Sequence, residues 1–225
     1  MEPRTFVRLA SLATGTCGRN VKIDLKKDLK DLYQPGSSDF SEVFVPPMTY
    51  LAIDGHGDPN VAPEYTAAVE ALYGAAYAIK FAFKARSGDD FVVGPLEGLW
   101  SSGDPGAFEA GRKADWDWTM LIPLPGSVSS DDIESGIASA ARRKPGLPIA
   151  RLRTLVLEEG RSLQILHRGS YDDEDSTLAR LHHEVMPARA LTWNGRHHEV
   201  YLSDPRRVAP EKLRTILRQP VTPAV

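Results

Sequence analysis

Met48-Thr49-Tyr50-Leu51-Ala52-Ile53-Asp54-Gly55-His56-Gly57-Asp58-Pro59-Asn60 reads as a strand running into a sharp turn. The apolar run starts at Phe44, enters through Pro46-Pro47 and ends at Gly55, where Gly, Asp and Pro break the strand pattern. A long helix is expected behind it. Asn60 is its expected N-cap and Pro63 suits its first turn, and Tyr65, Val69, Leu72, Ala76, Ile79 and Phe83 recur in steps of four and three.

Downstream, Phe91 to Trp100 and Trp116 to Leu124 read as strands, separated by a Gly- and Ser-rich loop holding Asp104-Pro105-Gly106. Together these pieces form one strand-helix-strand-strand unit. Ser129 to Ala141 reads as a connecting helix. Asp131 and Asp132 stand at its start and Arg142 to Lys144 at its end, the charge order that the helix dipole favours. The second half repeats the pattern: strands Arg151 to Glu158 and Ser162 to His167, then a helix from Asp172 to Val185 with Leu178, Leu181 and Val185 on one stripe. Strand His197 to Ser203 follows, and a terminal helix over Ala209 to Leu217. Met48 to Gly57 followed by a helix is echoed by Leu163 to Gly169 followed by a helix, each with acidic residues beyond its turn.

The expected fold is therefore α+β, with tandem βαββ repeats related by a pseudo-twofold axis. They form a mostly antiparallel sheet with two long helices on one face and a ligand groove on the other. Residues 1–20 read as a flexible extension and 21–225 as a single domain, with halves over about 42–126 and 150–205 plus the C-terminal helix. Val21 to Leu32 is a short amphipathic piece ended by Gln34-Pro35-Gly36, expected to dock on the outside.

Composition narrows the function classes. The chain of 225 residues is 42% hydrophobic and carries a net charge of -3, with Lys and Arg scattered, so nucleic acid is not an expected partner. No run of about 18 apolar residues exists to span a membrane. The single cysteine, Cys17, suits a reducing compartment, and cytoplasm is the expected location. His182-His183 and His197-His198 are adjacent pairs whose side chains diverge, and no metal-ligand spacing, phosphate loop or nucleophile elbow occurs. No metal or cofactor is expected, and the chain reads as a monomer or weak homodimer.

Five segments carry a resemblance: Lys22 to Tyr33, Asp54 to Asn60, Pro95-Leu96-Glu97-Gly98-Leu99-Trp100, Tyr171-Asp172-Asp173-Glu174 and His197 to Arg207. In this order and spacing the chain resembles the GyrI-like small-molecule-binding proteins that lack a DNA-binding domain, from about Val21 to Val221. The resemblance implies a sheet-lined groove at the pseudo-twofold axis. In one subclass, the cyclopropanoid cyclohydrolases, it implies hydrolysis of cyclopropane-bearing DNA-alkylating compounds. Ser101 and Pro125-Gly126 stand where relatives often carry a second aromatic and an Asp-Phe pair, which points to a reshaped groove wall.

Among individual residues, Glu199 shares a strand face with His197 and Tyr201, and points into the groove if Val200 and Leu202 face the helices. From residues alone a strand carboxylate paired with an arginine is the plainer reading. The resemblance instead implies a glutamate at the groove centre. Glu184 borders the apolar stripe of its helix and Tyr171 stands at the mouth of the second turn. These three are the expected catalytic set: Glu199 or Glu184 as the base that places a water, and Tyr171 as donor to a ligand carbonyl. Trp116 and Trp118 share a face and form either a core wall or a stacking platform for a flat ligand. Trp100, Tyr65, Tyr201, His197 and Glu97 complete the expected ligand-binding set. The expected activity is cofactor-free hydrolysis of a strained ring, and the rival is a binding module that sequesters flat apolar or cationic compounds.

Overall fold

The computed structural model describes residues 20–103 and 112–224. The expected extension up to residue 19 and the Asp104-Pro105-Gly106 turn lie outside the described residues. The first unit contains β2 (Ser41–Val45), β3 (Met48–His56), α3 (Pro63–Ser87), β5 (Leu96–Ser102) and β6 (Trp116–Leu124). Before it come β1 (Lys22–Ile23), α1 (Leu25–Asp28) and α2 (Lys30–Tyr33), and between α3 and β5 lies β4 (Asp90–Phe91). The connecting helix α4 spans Ser130–Arg143, held at its start by a capping box between Ser129 and Asp132. The second unit contains β7 (Arg153–Leu157), β8 (Gly160–Arg168), α5 (Glu174–Arg180), β9 (Leu191–Trp193), β10 (His197–Tyr201) and β11 (Arg214–Pro223). A π-helical turn, Leu181–Val185, prolongs α5 into α6 (Met186–Ala188).

Three expectations change. The terminal helix over Ala209 to Leu217 is absent: a single 3-10 turn, Pro210–Lys212, leads into β11. Ile216 and Leu217 are both fully buried on opposite faces of that strand, which a one-faced helix could not achieve. The strand expected from Phe91 breaks at Gly94-Pro95, and its first piece, β4, pairs in parallel with β1. Asn60 is not the N-cap. It lies in a turn in which its backbone N–H donates to Asp58 Oδ1 at 2.9 Å, and the helix starts at Pro63 behind Ala62.

The large sheet is antiparallel in every pairing, in the order β2-β8-β11-β10-β5-β6-β3-β7, with β9 on β11. Its ends belong to one bent ribbon. Val45 pairs with Gly160 and, past Pro46-Pro47, Met48 pairs with Leu157 in the same register. The sheet thus closes on itself and has an inside and an outside. Inside pack Val45, Met48, Tyr50, Ala52, Leu99, Leu121, Val200 and Ile216, covered by Leu32 and Tyr33 of α2. Outside, α3 packs Ala68, Leu72, Ala75, Ile79 and Phe83 onto Leu51, Ile53, Met120 and Ile122. The second helix packs Leu181 and Met186 with Leu163, Ile165 and Leu217. Both helices therefore lie on the outer face.

Charge is buried inside the closed sheet. His198 Nδ1 lies 2.9 Å from Glu159 Oε1 and its Nε2 lies 2.9 Å from Glu97 Oε2, with the imidazole wholly shielded from solvent. Arg218 reaches Glu159 at 3.2 Å and donates to the Leu32 carbonyl at 2.8 Å, while Tyr33 donates to Glu97 at 2.9 Å. Two carboxylates face one imidazolium and one guanidinium, so the cluster balances. Burial alone would depress the His198 pKa, yet the flanking Glu159 and Glu97 raise it to about 9. Burial likewise works against the Glu159 carboxylate, but attraction to His198 and Arg218 outweighs it and lowers its pKa to about 2.

A group whose folded pKa is raised adds stability that is complete below its unfolded value of about 6.5 and lost as pH climbs through the folded value. We expect urea unfolding to show a loss on the order of 3 kcal/mol between pH 6 and pH 9.5 from this imidazolium. An unchanged unfolding midpoint across that range would show that His198 is not held charged.

Candidate functional site

Between α3 and α5, above β5 and β10, lies a cavity of about 1580 Å³. It opens on the helix-bearing face and not on the opposite one, because the inside of the closed sheet is filled by side chains. Val200 accordingly faces the interior, and Glu199 faces the helices.

The floor is built from strand alternation. His197, Glu199 and Tyr201 point outward from β10, and the Tyr201 hydroxyl donates to Glu199 Oε2 at 2.7 Å while accepting the Trp100 indole N–H at 3.0 Å. This chain fixes the carboxylate's orientation. His197 Nε2 lies 3.4 Å from the other oxygen, Glu199 Oε1. The walls are aromatic: Tyr65 stacks over Trp100 with centroids 6.5 Å apart, and Trp116 meets Trp100 edge-on at 5.6 Å. Tyr171 meets Tyr201 edge-on at 5.7 Å. Burial, reinforced by Glu174 and Glu199, pushes the Tyr171 pKa up to about 12, so its phenol stays a donor. Burial does the same to Tyr201 and Tyr65.

A second acid completes the site. Glu174, in the first turn of α5, is 4% exposed, and its Oε1 has no hydrogen-bond partner. Burial first, and then the charge of Glu199, push its pKa up to about 9, against the opposing influence of the Thr215 hydroxyl. At neutral pH one carboxyl of the pair is thus protonated. Glu174 stands four positions before Leu178 on the helix stripe, a spacing that marks it in the sequence.

Of the expected residues, the structure gathers Tyr65, Trp100, Trp116, Tyr171, His197, Glu199 and Tyr201 around this cavity. Three lie elsewhere. Glu184 is exposed and outside the lining, because the π turn directs His182 and His183 to the cavity and Leu181 and Met186 to the core. Trp118 is 1% exposed beneath α3, its ring above Gly55, where a Cβ would stand 2.0 Å from the indole, so it is core. Glu97 points inside the sheet to His198. Among the described residues no cluster of three or more His, Cys, Asp or Glu could hold a metal ion, and no helix is long and apolar enough to cross a membrane.

With this fold and groove in view, comparison with known proteins identifies the class. The model of the GyrI-like small molecule binding domain matches residues 38–222, and the chain belongs to that family. An uncharacterized conserved protein from Listeria innocua is similar at 38% identity and a TM-score of 0.81, over 89% of this chain and all (100%) of that one. A hydrolase from Listeria innocua is similar at 37% identity and a TM-score of 0.76, over the same shares of 89% and 100%. The EcmrR C-terminal domain, 9% identical with a TM-score of 0.53 over 83% of this chain and 98% of that one, shares the fold alone. No curated protein matches.

Gly98 pairs with Glu199 across β5 and β10, and a Cβ there would stand 2.9 Å from the Trp100 indole nitrogen and 3.2 Å from the Tyr201 hydroxyl. Gly98→Ala is therefore expected to displace the Trp100–Tyr201–Glu199 chain and cost about 1–3 kcal/mol of stability by overpacking. Thermal unfolding together with tryptophan fluorescence checks this, and wild-type values in both would show that the indole does not rest on the glycine.

Proposed function

We propose that the groove hydrolyses flat, lipophilic compounds in which a strained cyclopropane is conjugated to a dienone, adding water without a cofactor. One observation carries this reading: a buried carboxyl, Glu174, with an unpartnered oxygen, shares an aromatic-walled groove with Glu199, and burial together with the charge of Glu199 pushes its pKa up. Carboxyls whose environments hold them in different protonation states are the usual equipment of paired acid and base catalysis. The hydrolase similar to this chain supports the same class of reaction.

In the proposed reaction the ring system lies against Trp100, Trp116 and Tyr65. Glu199, oriented by Tyr201, takes a proton from a water whose oxygen attacks the cyclopropane carbon. The strained C–C bond breaks and its electron pair moves through the conjugated system to the dienone oxygen. Tyr171 donates a hydrogen bond to that oxygen as charge develops, and Glu174 supplies the proton that makes it a phenol. One water is consumed, and transfer of the proton from Glu199 back to Glu174 restores the starting state. The product no longer alkylates DNA, so the reaction is protective.

Substoichiometric protein incubated with a cyclopropane-fused dienone should yield many equivalents of the water adduct by mass spectrometry. Less than one equivalent per protein would leave a sequestering module, which the same aromatic walls and carboxylate also suit. Glu199→Gln and Glu174→Gln should each lower turnover about 100-fold while changing ligand affinity by only a few-fold. Glu174 must be protonated to act, so turnover should fall as pH rises through about 9 and that limb should vanish in Glu174→Gln. Wild-type turnover in both variants would remove the mechanism.

A further inference from the structure

We propose that the end of the groove bounded by His182, His197 and Trp193 is a second binding subsite, taking a flat heteroaromatic ring with an N–H group at its edge. The inference deepens the reading of the groove as a ligand site and concerns a part of it that the proposed reaction does not use.

Several independent features converge there. The cavity, about 1580 Å³, is larger than the roughly 300–1,000 Å³ of most small-molecule sites, so a ligand that fills it extends beyond one reactive ring system. At the far end the π turn Leu181–Val185 brings His182 over the groove, and its ring lies 4.2 Å from that of Trp193 with the planes tilted at 45°. Single π turns are a recurrent device for displaying a side chain at a functional site. Trp193 is 48% exposed although it forms part of the cavity wall, so it offers a ring face to a visiting molecule.

The polar atoms say what kind of molecule fits. His182 Nε2 and both ring nitrogens of His197 are buried without a hydrogen-bond partner, and the His197 side chain is 10% exposed. The 3.4 Å approach of His197 Nε2 to Glu199 lacks hydrogen-bond geometry. Buried polar atoms without partners cost free energy that a complementary ligand recovers. Burial, with His197 and His183 nearby, lowers the His182 pKa to about 4, so the ring is neutral near pH 7 and keeps a lone pair to accept with. What fits is a flat ring that stacks on Trp193 and donates one N–H.

Two inert, nearly isosteric probes test this: 2-phenylindole, which carries the N–H, and 2-phenylbenzofuran, which has an oxygen in its place. Titration calorimetry of the full-length protein at pH 7.5 should show 2-phenylindole binding about 10-fold more tightly, the value of one good hydrogen bond. In the His182→Leu/His197→Leu double variant that preference should fall below about twofold, whereas Trp193→Ala should weaken both probes alike by roughly 10-fold. The imidazole ¹H–¹⁵N signals of wild-type His182, assigned by their loss in His182→Leu, should shift with 2-phenylindole. Equal wild-type affinity for both probes, a preference that survives in the double variant, or unmoved His182 signals would each overturn the subsite. If the double variant fails to fold, the wild-type affinities and spectra decide alone. Neither probe can be hydrolysed, so failure to detect a water adduct from a cyclopropanoid leaves this result standing.

Discussion

The clamp on His198 is the constraint on which the rest of the structure depends. An imidazole buried between Glu97 and Glu159 cannot be moved to the outer face without taking from both buried carboxylates the cation they share, leaving Arg218 to face Glu159 alone and the Tyr33 hydroxyl to serve Glu97. Because strand side chains alternate, fixing His198 inward fixes His197, Glu199 and Tyr201 outward. A register slip of one residue would drive Glu199 into the apolar interior beside Leu99 and Ile216 and expel the imidazole. The groove's chemistry is thus held in place by charges that never touch a ligand.

Closure of the sheet decides where a ligand can go. A sheet with two free edges has two faces on which a groove can form, but a sheet whose ends join has one surface filled by its own side chains. The interior here is packed by Tyr50, Leu121, Val200 and Ile216 and capped by α2. The outer surface is only partly covered, since α3 and α5 stand apart over β5 and β10. The gap between them is where the aromatic walls and the two carboxyls meet.

Much of this was legible from residues. The run from Met48 through the Asp54–Asn60 turn to Phe83 announces strand, turn and helix because apolar spacing changes there from strand-like to helical. Parity alone groups His197, Glu199 and Tyr201 on one face of β10 but does not say which face: Val200 and Leu202, expected toward the helices, pack in the interior, and Glu199 faces the helices instead. Parity places a side chain on a face but does not reveal what covers it: Trp116 and Trp118 share a face, yet α3 shields Trp118 and leaves Trp116 at the groove. β11 was misread because Ala209-Pro210-Glu211-Lys212 has the composition of a helix start, and because buried Arg218 and Gln219 blur its alternation. Those polar residues, Arg218 on the inner face and Gln219 on the outer, are buried only because Glu159 and neighbouring carbonyls receive them. Glu184 looked inward on an ideal helix, and the π turn that sends it outward leaves no trace in residue spacing.

The duplication explains why the chemistry is one-sided. One row of paired residues crosses the outer face in the order Ile53, Met120, Gly98, Glu199, Leu217, Ile165. The pseudo-twofold axis falls at its centre, so Ile53 answers to Ile165, Met120 to Leu217 and Gly98 to Glu199. Two steps further along the central strands, Trp100 answers to Tyr201, and these two residues hydrogen-bond to each other across the axis. A symmetric site would set two carboxylates face to face, where mutual repulsion would raise at least one pKa. Gly98 removes one of them and leaves room for the Trp100 indole, while the second acid comes from the helix at Glu174. The first half has therefore become the wall, through Tyr65, Trp100 and Trp116. The second has become the reactive side, through Tyr171, Glu174 and Glu199, and the asymmetry lets one acid stay protonated while the other faces it in the same groove.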